Sequence, residues 1–167
     1  FSRFAGWFAE TESDRRKGVA HSLAEVDGGK VLQAPAGAFT LKARADRIDV
    51  AAGGVIITDY KTVADLTPLA QRALKGAAPQ LALEAAIAMD GGFTGVAAQP
   101  VQALRYISAS GGEPPGREMT LKTDDIAGLV KQAVDGLARL IAHFDNEATP
   151  YRALRRSGFR YDYDEYA

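Results

Sequence analysis

One hairpin constrains this chain more than any other feature. Residues 39–62 read FTLKARADRIDVAAGGVIITDYKT. Two strand-like runs flank Ala51-Ala52-Gly53-Gly54, and a glycine pair between such runs signals a β-hairpin. Strand side chains alternate between faces. Val55, Ile57, Asp59 and Lys61 therefore share one face, on which two apolar residues give way to an acid and a base. Burying a core does not require that sequence. Asp46 stands thirteen residues before Asp59, so a turn at Gly53 brings the two acids across from each other on neighbouring strands. Two such carboxylates with a lysine beside one make a hard-oxygen site for Mg²⁺. A metal there would polarise a phosphate and acidify a bound water, and the lysine would orient that water or stabilise developing negative charge. This is the chemistry of phosphodiester hydrolysis. The bland alternative is a surface hairpin with a cross-strand ion pair, which contributes little. The apolar run before Asp59 and the second acid favour the site.

The rest of the chain supplies a frame for this hairpin. FSRFAGWFAETESDRRKG (1–18) reads as a leading helix, with Phe1, Phe4 and Phe8 at helical spacing and Gly18 after a basic end. Strand-like segments run Ala20–Val26, Val31–Gln33, Phe39–Val50 and Val55–Thr62, with turns at Asp27–Gly29 and Ala51–Gly54. A helix begins at Pro68, breaks near Gly76 and restarts at Pro79 as the buried segment PQLALEAAIAM. Further strands are expected at Val101–Ser108 and Met119–Lys122. Thr123 is placed to cap a long helix whose apolar stripe is Ile126, Leu129, Val130, Ala133, Leu137, Leu140, Ile141 and Phe144. The order α-β-β-β-α-β-β-α, with an irregular Arg/Tyr-rich tail at 147–167, predicts an α/β chain of the α+β kind: one mixed sheet flanked by helices. A length of 167 residues suits one domain (1–167, core 19–146). The start at Phe1 without methionine suggests a C-terminal fragment of something larger.

Composition excludes several classes. The chain has no cysteine, which removes disulfides, thiolate zinc sites and iron–sulfur ligation and fits a reducing compartment. No apolar run is long enough for a membrane span, and no signal peptide opens the chain. The net charge of −1 does not advertise a nucleic-acid binder, so contact with DNA must rest on local patches. Three are available: Arg15, Arg16 and Lys17; Arg72 and Lys75; and Arg152, Arg155, Arg156 and Arg160 near the end. Runs of charge are more often solvated faces, and none of these would read bases.

ARADRID followed by IITDYKT resembles motifs II and III of the RecB-like branch of the PD-(D/E)XK nuclease superfamily. The likeness covers both acids, the lysine, the Arg-Ile-Asp after the first acid and the spacing. It implies a restriction-endonuclease-like core. It implies that Asp46, Asp59 and the Tyr60 backbone carbonyl ligate Mg²⁺, with Mn²⁺ as a substitute, and that Lys61 is the catalytic lysine. The branch carries Gln-x-x-x-Tyr on the helix after the lysine strand. Gln80 stands where the glutamine belongs and counts among the catalytic residues; Glu84 stands where tyrosine is expected. Glu84 either orients Gln80, contacts the metal's water shell or is a solvated glutamate. Glu25 fits the family's acid on the strand before motif II. His21, in KGVAHSLAE where the glycine is out of register with the family's first helical motif and the segment reads as a strand, is read as incidental, and His143, on the last helix, as structural.

The flanks, from FTLKARADRID through PQLALEAA to TPYRALRRSGFRYDYDEYA, look like the C-terminal nuclease domain of an AddB-type subunit. That resemblance implies a cytoplasmic Mg²⁺-dependent deoxyribonuclease of exonuclease type, acting on DNA with an AddA-type helicase–nuclease partner in double-strand-break repair. With no cysteine it would belong to the variety without an iron–sulfur cluster. The competing reading is a weak or inactive nuclease-fold module that binds DNA or docks a partner. A third, an unrelated α/β metal hydrolase, requires that the hairpin fail to bring Asp46 near Asp59.

Overall fold

The computed structural model describes residues 2–150. Its elements run α1 (Ser2–Arg15), β1 (Val19–Ala34), β2 (Gly37–Ala51), β3 (Gly54–Lys61), α2 (Thr67–Leu74), α3 (Gln80–Met89), β4 (Val101–Ser108), β5 (Arg117–Thr120) and α4 (Ile126–Phe144). The strands form one sheet in chain order. Its pairs are antiparallel except β3–β4, which is parallel. A parallel pair cannot be joined by a tight turn, and the segment carrying α2 and α3 makes the crossover. The mixed sheet with flanking helices is the architecture expected of the sequence.

Alternation along the strands divides the chain into layers. Ile48, Ile57 and Leu104 are neighbours across β2, β3 and β4 and are buried with Leu81, Ala85 and Ile87 of α3 and Leu129, Val130 and Ala133 of α4. The residues one step along, Arg47, Thr58 and Arg105, make the row facing the other way, where α1 lies. Strands covered on both faces lose the polar-out pattern, and β3 is buried over most of its length.

The β2–β3 turn is the two-residue loop Ala52-Gly53, closed by the pair Ala51↔Gly54. Gly54 has φ of +142° and its Cβ position is filled by the Pro100 carbonyl, so glycine is required there. The second expected turn, at Asp27–Gly29, does not form: β1 runs through it unbroken. The glycines there serve close approach instead. Phe93 lies where a Gly28 side chain would be, and Gly29 N donates to the Gly92 carbonyl at 3.0 Å. Other boundaries differ too. β5 begins at Arg117 rather than Met119 and ends at Thr120 rather than Lys122. The cap of α4 is Asp125, whose Oδ1 accepts from Gly128 N at 2.6 Å, while Thr123 only accepts from Asp125 N. The α4 stripe is buried at Leu129, Val130, Ala133 and Ile141, but Leu140 and Phe144 are exposed, because neither packs into the core that the first turns join.

Candidate functional site

The β2–β3 ladder is hydrogen-bonded from Ala51↔Gly54 to Arg47↔Thr58. One further step puts Asp46 opposite Asp59, where the hairpin reading expects it. Asp46 Oδ2 accepts from Tyr60 N at 2.8 Å, which ties the first acid to the second strand. Asp59 is 2% exposed, and its neighbour across β4 is Tyr106, 1% exposed. Burial pushes the Asp59 carboxyl up from its ordinary pKa; Lys61 opposes the rise and the Asp46 charge adds to it. Tyr106 is pushed up to about 12 by burial and by the charges of Asp59 and Glu84.

Lys61 follows on the same face of β3. Its Nζ is 2.9 Å from Asp59 Oδ1 and 2.7 Å from Oδ2. α3 packs over this end of the sheet and begins with Gln80. Gln80 Nε2 donates to Asp59 Oδ1 at 2.6 Å, and Gln80 Oε1 accepts from Lys61 Nζ at 3.1 Å. One turn along, Glu84 Oε1 accepts from Gln80 Nε2 at 3.2 Å. Glu84 is 3% exposed, so the solvated-glutamate reading fails. Burial pushes its carboxyl up to about 7, with the Asp59 and Asp46 charges adding to the rise and Gln80 opposing it. The structure thus joins Asp59, Lys61, Gln80 and Glu84 in one hydrogen-bonded chain, with Asp46 across the ladder.

On the opposite face α1 is fastened by ion pairs. Glu12 Oε2 accepts from Arg47 Nη1 at 2.9 Å and from Arg15 Nε at 3.0 Å, and Glu12 Oε1 from Arg16 Nε at 2.7 Å. Arg47 Nε also donates to the buried Asp49 at 2.7 Å. Burial pushes the Glu12 carboxyl up, but the three arginines outweigh it and bring it down to about 2. For Arg47, burial works against the charge, but the attraction of Glu12 and Asp49 outweighs it and raises the pKa. Phe8 of α1 rests 6.2 Å from the Tyr60 ring. A cleft of about 360 Å³ opens between α1 and the strand ends, with Glu25, Asp46 and Tyr60 in its wall.

The family model of the PD-(D/E)XK nuclease superfamily matches residues 1–157. The chain belongs to that superfamily. No curated protein sequence matches it significantly. Among solved structures, the crystal structure of SSO0001 is similar at 14% identity and a TM-score of 0.44, over 80% of this chain and 55% of that one. The chain thus spans about half the length of that protein.

PD-(D/E)XK nucleases generally use divalent metals. Among the described residues no group of three or more His, Cys, Asp or Glu is arranged to hold an ion. Mg²⁺ does not need one, since it is held by one or two carboxylates and keeps several waters. The donors at this end of the sheet are all oxygen. The buried Asp59 Oδ2 has no hydrogen-bond partner among the described residues, although the Lys61 ammonium lies against it. The residues therefore fit the ion.

The other predicted residues separate. Glu25 lies on β1 in the left-handed region, with φ of +55°, and pairs with Arg44 at 3.0 Å. Arg15 does not belong to a basic surface patch. It is buried, hydrogen-bonded to Thr11, Glu12 and the Phe8 carbonyl, with its guanidinium over Trp7 and Phe8. Arg16 and Lys17 are exposed and paired with Glu12 and Asp14. Arg72 is exposed on α2, and so is Lys75, just beyond it. Arg152, Arg155, Arg156 and Arg160 lie outside the described residues. His21 is exposed on β1, and the His143 ring is 5.0 Å from Phe144. Sequence reading missed the Glu12–Arg47 pair and Tyr106. The signal for the first was an arginine beside Asp46 in a strand buried on both faces. No helix among the described residues is long and apolar enough to cross a membrane.

Proposed function

We propose that this chain is a catalytic DNA nuclease domain, hydrolysing phosphodiester bonds with Mg²⁺ held by Asp46, Asp59 and the Tyr60 carbonyl. The observation that carries the reading is the convergence of Asp59, Lys61 and Gln80 beside the end of the hairpin that faces Asp46. Bound there, the ion would polarise the phosphate and acidify a water. Lys61, on the same face as Asp59, presents a positive charge toward the scissile group. Gln80 holds that ammonium by its carbonyl and holds Asp59 by its amide, so both keep one geometry as substrate arrives. Arg16, Lys17, Arg72 and Lys75 supply positive charge for contact with a nucleic-acid backbone. The flanking likeness to AddB-type subunits supports a place in a helicase–nuclease that resects double-strand breaks as an exonuclease with an AddA-type partner. The test is cleavage of end-labelled single- and double-stranded DNA, with Mg²⁺ and with chelator, by the chain and its Lys61→Ala variant. Metal-dependent cleavage that Lys61→Ala slows by roughly 10²–10³ is expected. Undiminished cleavage by that variant would remove Lys61 from the chemistry, and no cleavage by the chain itself would transfer it to the DNA-binding or docking module.

A further inference from the structure

Glu84 is an acid where burial disfavours one. It lies on α3, which is buried over most of its length, between Leu81 and Ala85 with their near-zero exposure. Its Oε2 has no hydrogen-bond partner among the described residues. Leucine or tyrosine at this position would avoid the cost of burying a carboxylate. What the acid gains is the contact of its other oxygen with Gln80 Nε2 at 3.2 Å.

A carboxamide is asymmetric: one end donates twice and the other only accepts. At Gln80 the donating end faces two carboxylates, Asp59 at 2.6 Å and Glu84 at 3.2 Å, and the accepting end faces the Lys61 ammonium at 3.1 Å. Turning the amide over would aim its oxygen at both acids and its NH₂ at a cation, which makes every one of these contacts unfavourable. Asp59 alone would oppose that turn with one acceptor; Glu84 doubles the opposition. A tyrosine hydroxyl both donates and accepts, so it would leave either orientation possible. A carboxylic group accepts at Oε1 whether or not Oε2 carries a proton, so the selection does not depend on ionisation.

We propose that Glu84 is a positioning residue that locks the Gln80 amide with its oxygen on Lys61 and its nitrogen on Asp59. Its importance for turnover rests on the nuclease reading above; the locking itself does not. The decisive measurement uses metal-free protein labelled with ¹⁵N at glutamine side chains, the Gln80 signal being identified by its loss in Gln80→Ala. In the parent chain the Gln80 amide protons should be slow to exchange. In Glu84→Leu and in Glu84→Tyr, each checked for folding by circular dichroism, exchange should quicken by about tenfold or more. Glu84→Gln, whose carbonyl still accepts, should restore part of the protection. Unchanged Gln80 signals in both folded variants would overturn the proposal. In DNA cleavage, Glu84→Leu should lower kcat with little change in KM or in the Mg²⁺ concentration for half activity, and should add nothing on a Gln80→Ala background. A full additional loss on that background would mean that Glu84 acts by another route. A parent chain that cuts no DNA but shows the protected amide would refute the nuclease reading and leave the locking intact.

Discussion

Replacing Glu12 by glutamine isolates the tie between α1 and the hairpin. The side chain is partly buried and receives hydrogen bonds from three arginines, which bring its pKa from 4.5 down to about 2. A drop of that size, at about 1.4 kcal/mol for each tenfold change, means that the ionised form adds about 3 kcal/mol to folding at neutral pH. For an acid whose folded pKa is depressed, this stability is complete above the unfolded value near 4.5. It declines as pH falls toward 2; by the same linkage roughly 1–2 kcal/mol remains at pH 3. Glutamine keeps the shape and removes the charge, so Glu12→Gln should be less stable than the parent by about 3 kcal/mol at pH 7 and by about half that at pH 3. Urea titrations followed by far-ultraviolet circular dichroism at both pH values give the two differences, provided the slopes are unchanged. A loss that is the same at pH 3 as at pH 7 would refute an electrostatic tie. No loss at pH 7 would mean that α1 is not held by this residue at all.

Further outcomes can be measured. Lys61→Ala should lower kcat by roughly 10²–10³, while calorimetry with Mn²⁺ shows binding close to that of the parent. Asp59→Asn should lose Mn²⁺ binding and cleavage together. Glu84→Gln in chelator should gain stability over the parent as pH rises. The buried acid's folded pKa of about 7 lies above its ordinary 4.5, so its ionisation opposes folding; denaturation at pH 4 and pH 8 should show a difference that is small at the lower pH and grows as pH rises between the two pKa values. Gly116→Val should loosen α1, because Trp7 occupies the space its side chain needs, and faster amide exchange confined to residues 2–15 would report it.

The parts legible in sequence were those set by local pattern. The hairpin, its acids and the buried α3 follow from alternation, a glycine turn and helical spacing within residues 39–89. What stayed hidden depends on residues far apart in sequence. Gly28 and Gly29 look like a turn because nothing nearby says that Phe93 will lie over them. Arg15 looks like a surface charge because its partners span α1, and Glu118 of β5 lies 3.5 Å away. Glu84 looks like one polar position on an amphipathic helix until Gln80 and Asp59 are seen beside it.

Asp46 and Arg47 are consecutive, yet they serve opposite sides of the sheet: the acid faces Asp59, and the arginine faces Glu12. A single residue inserted between Asp46 and Ala51 would slide one strand past the other and exchange these duties. Arginine would then occupy the acid's place, and a carboxylate would turn toward the helix acid with like charge. The thirteen-residue interval between the two acids therefore behaves like a reading frame. Changes of chain length in this half of the molecule should be tolerated only where no frame is read, as at the tip formed by Pro35 and Ala36 between β1 and β2.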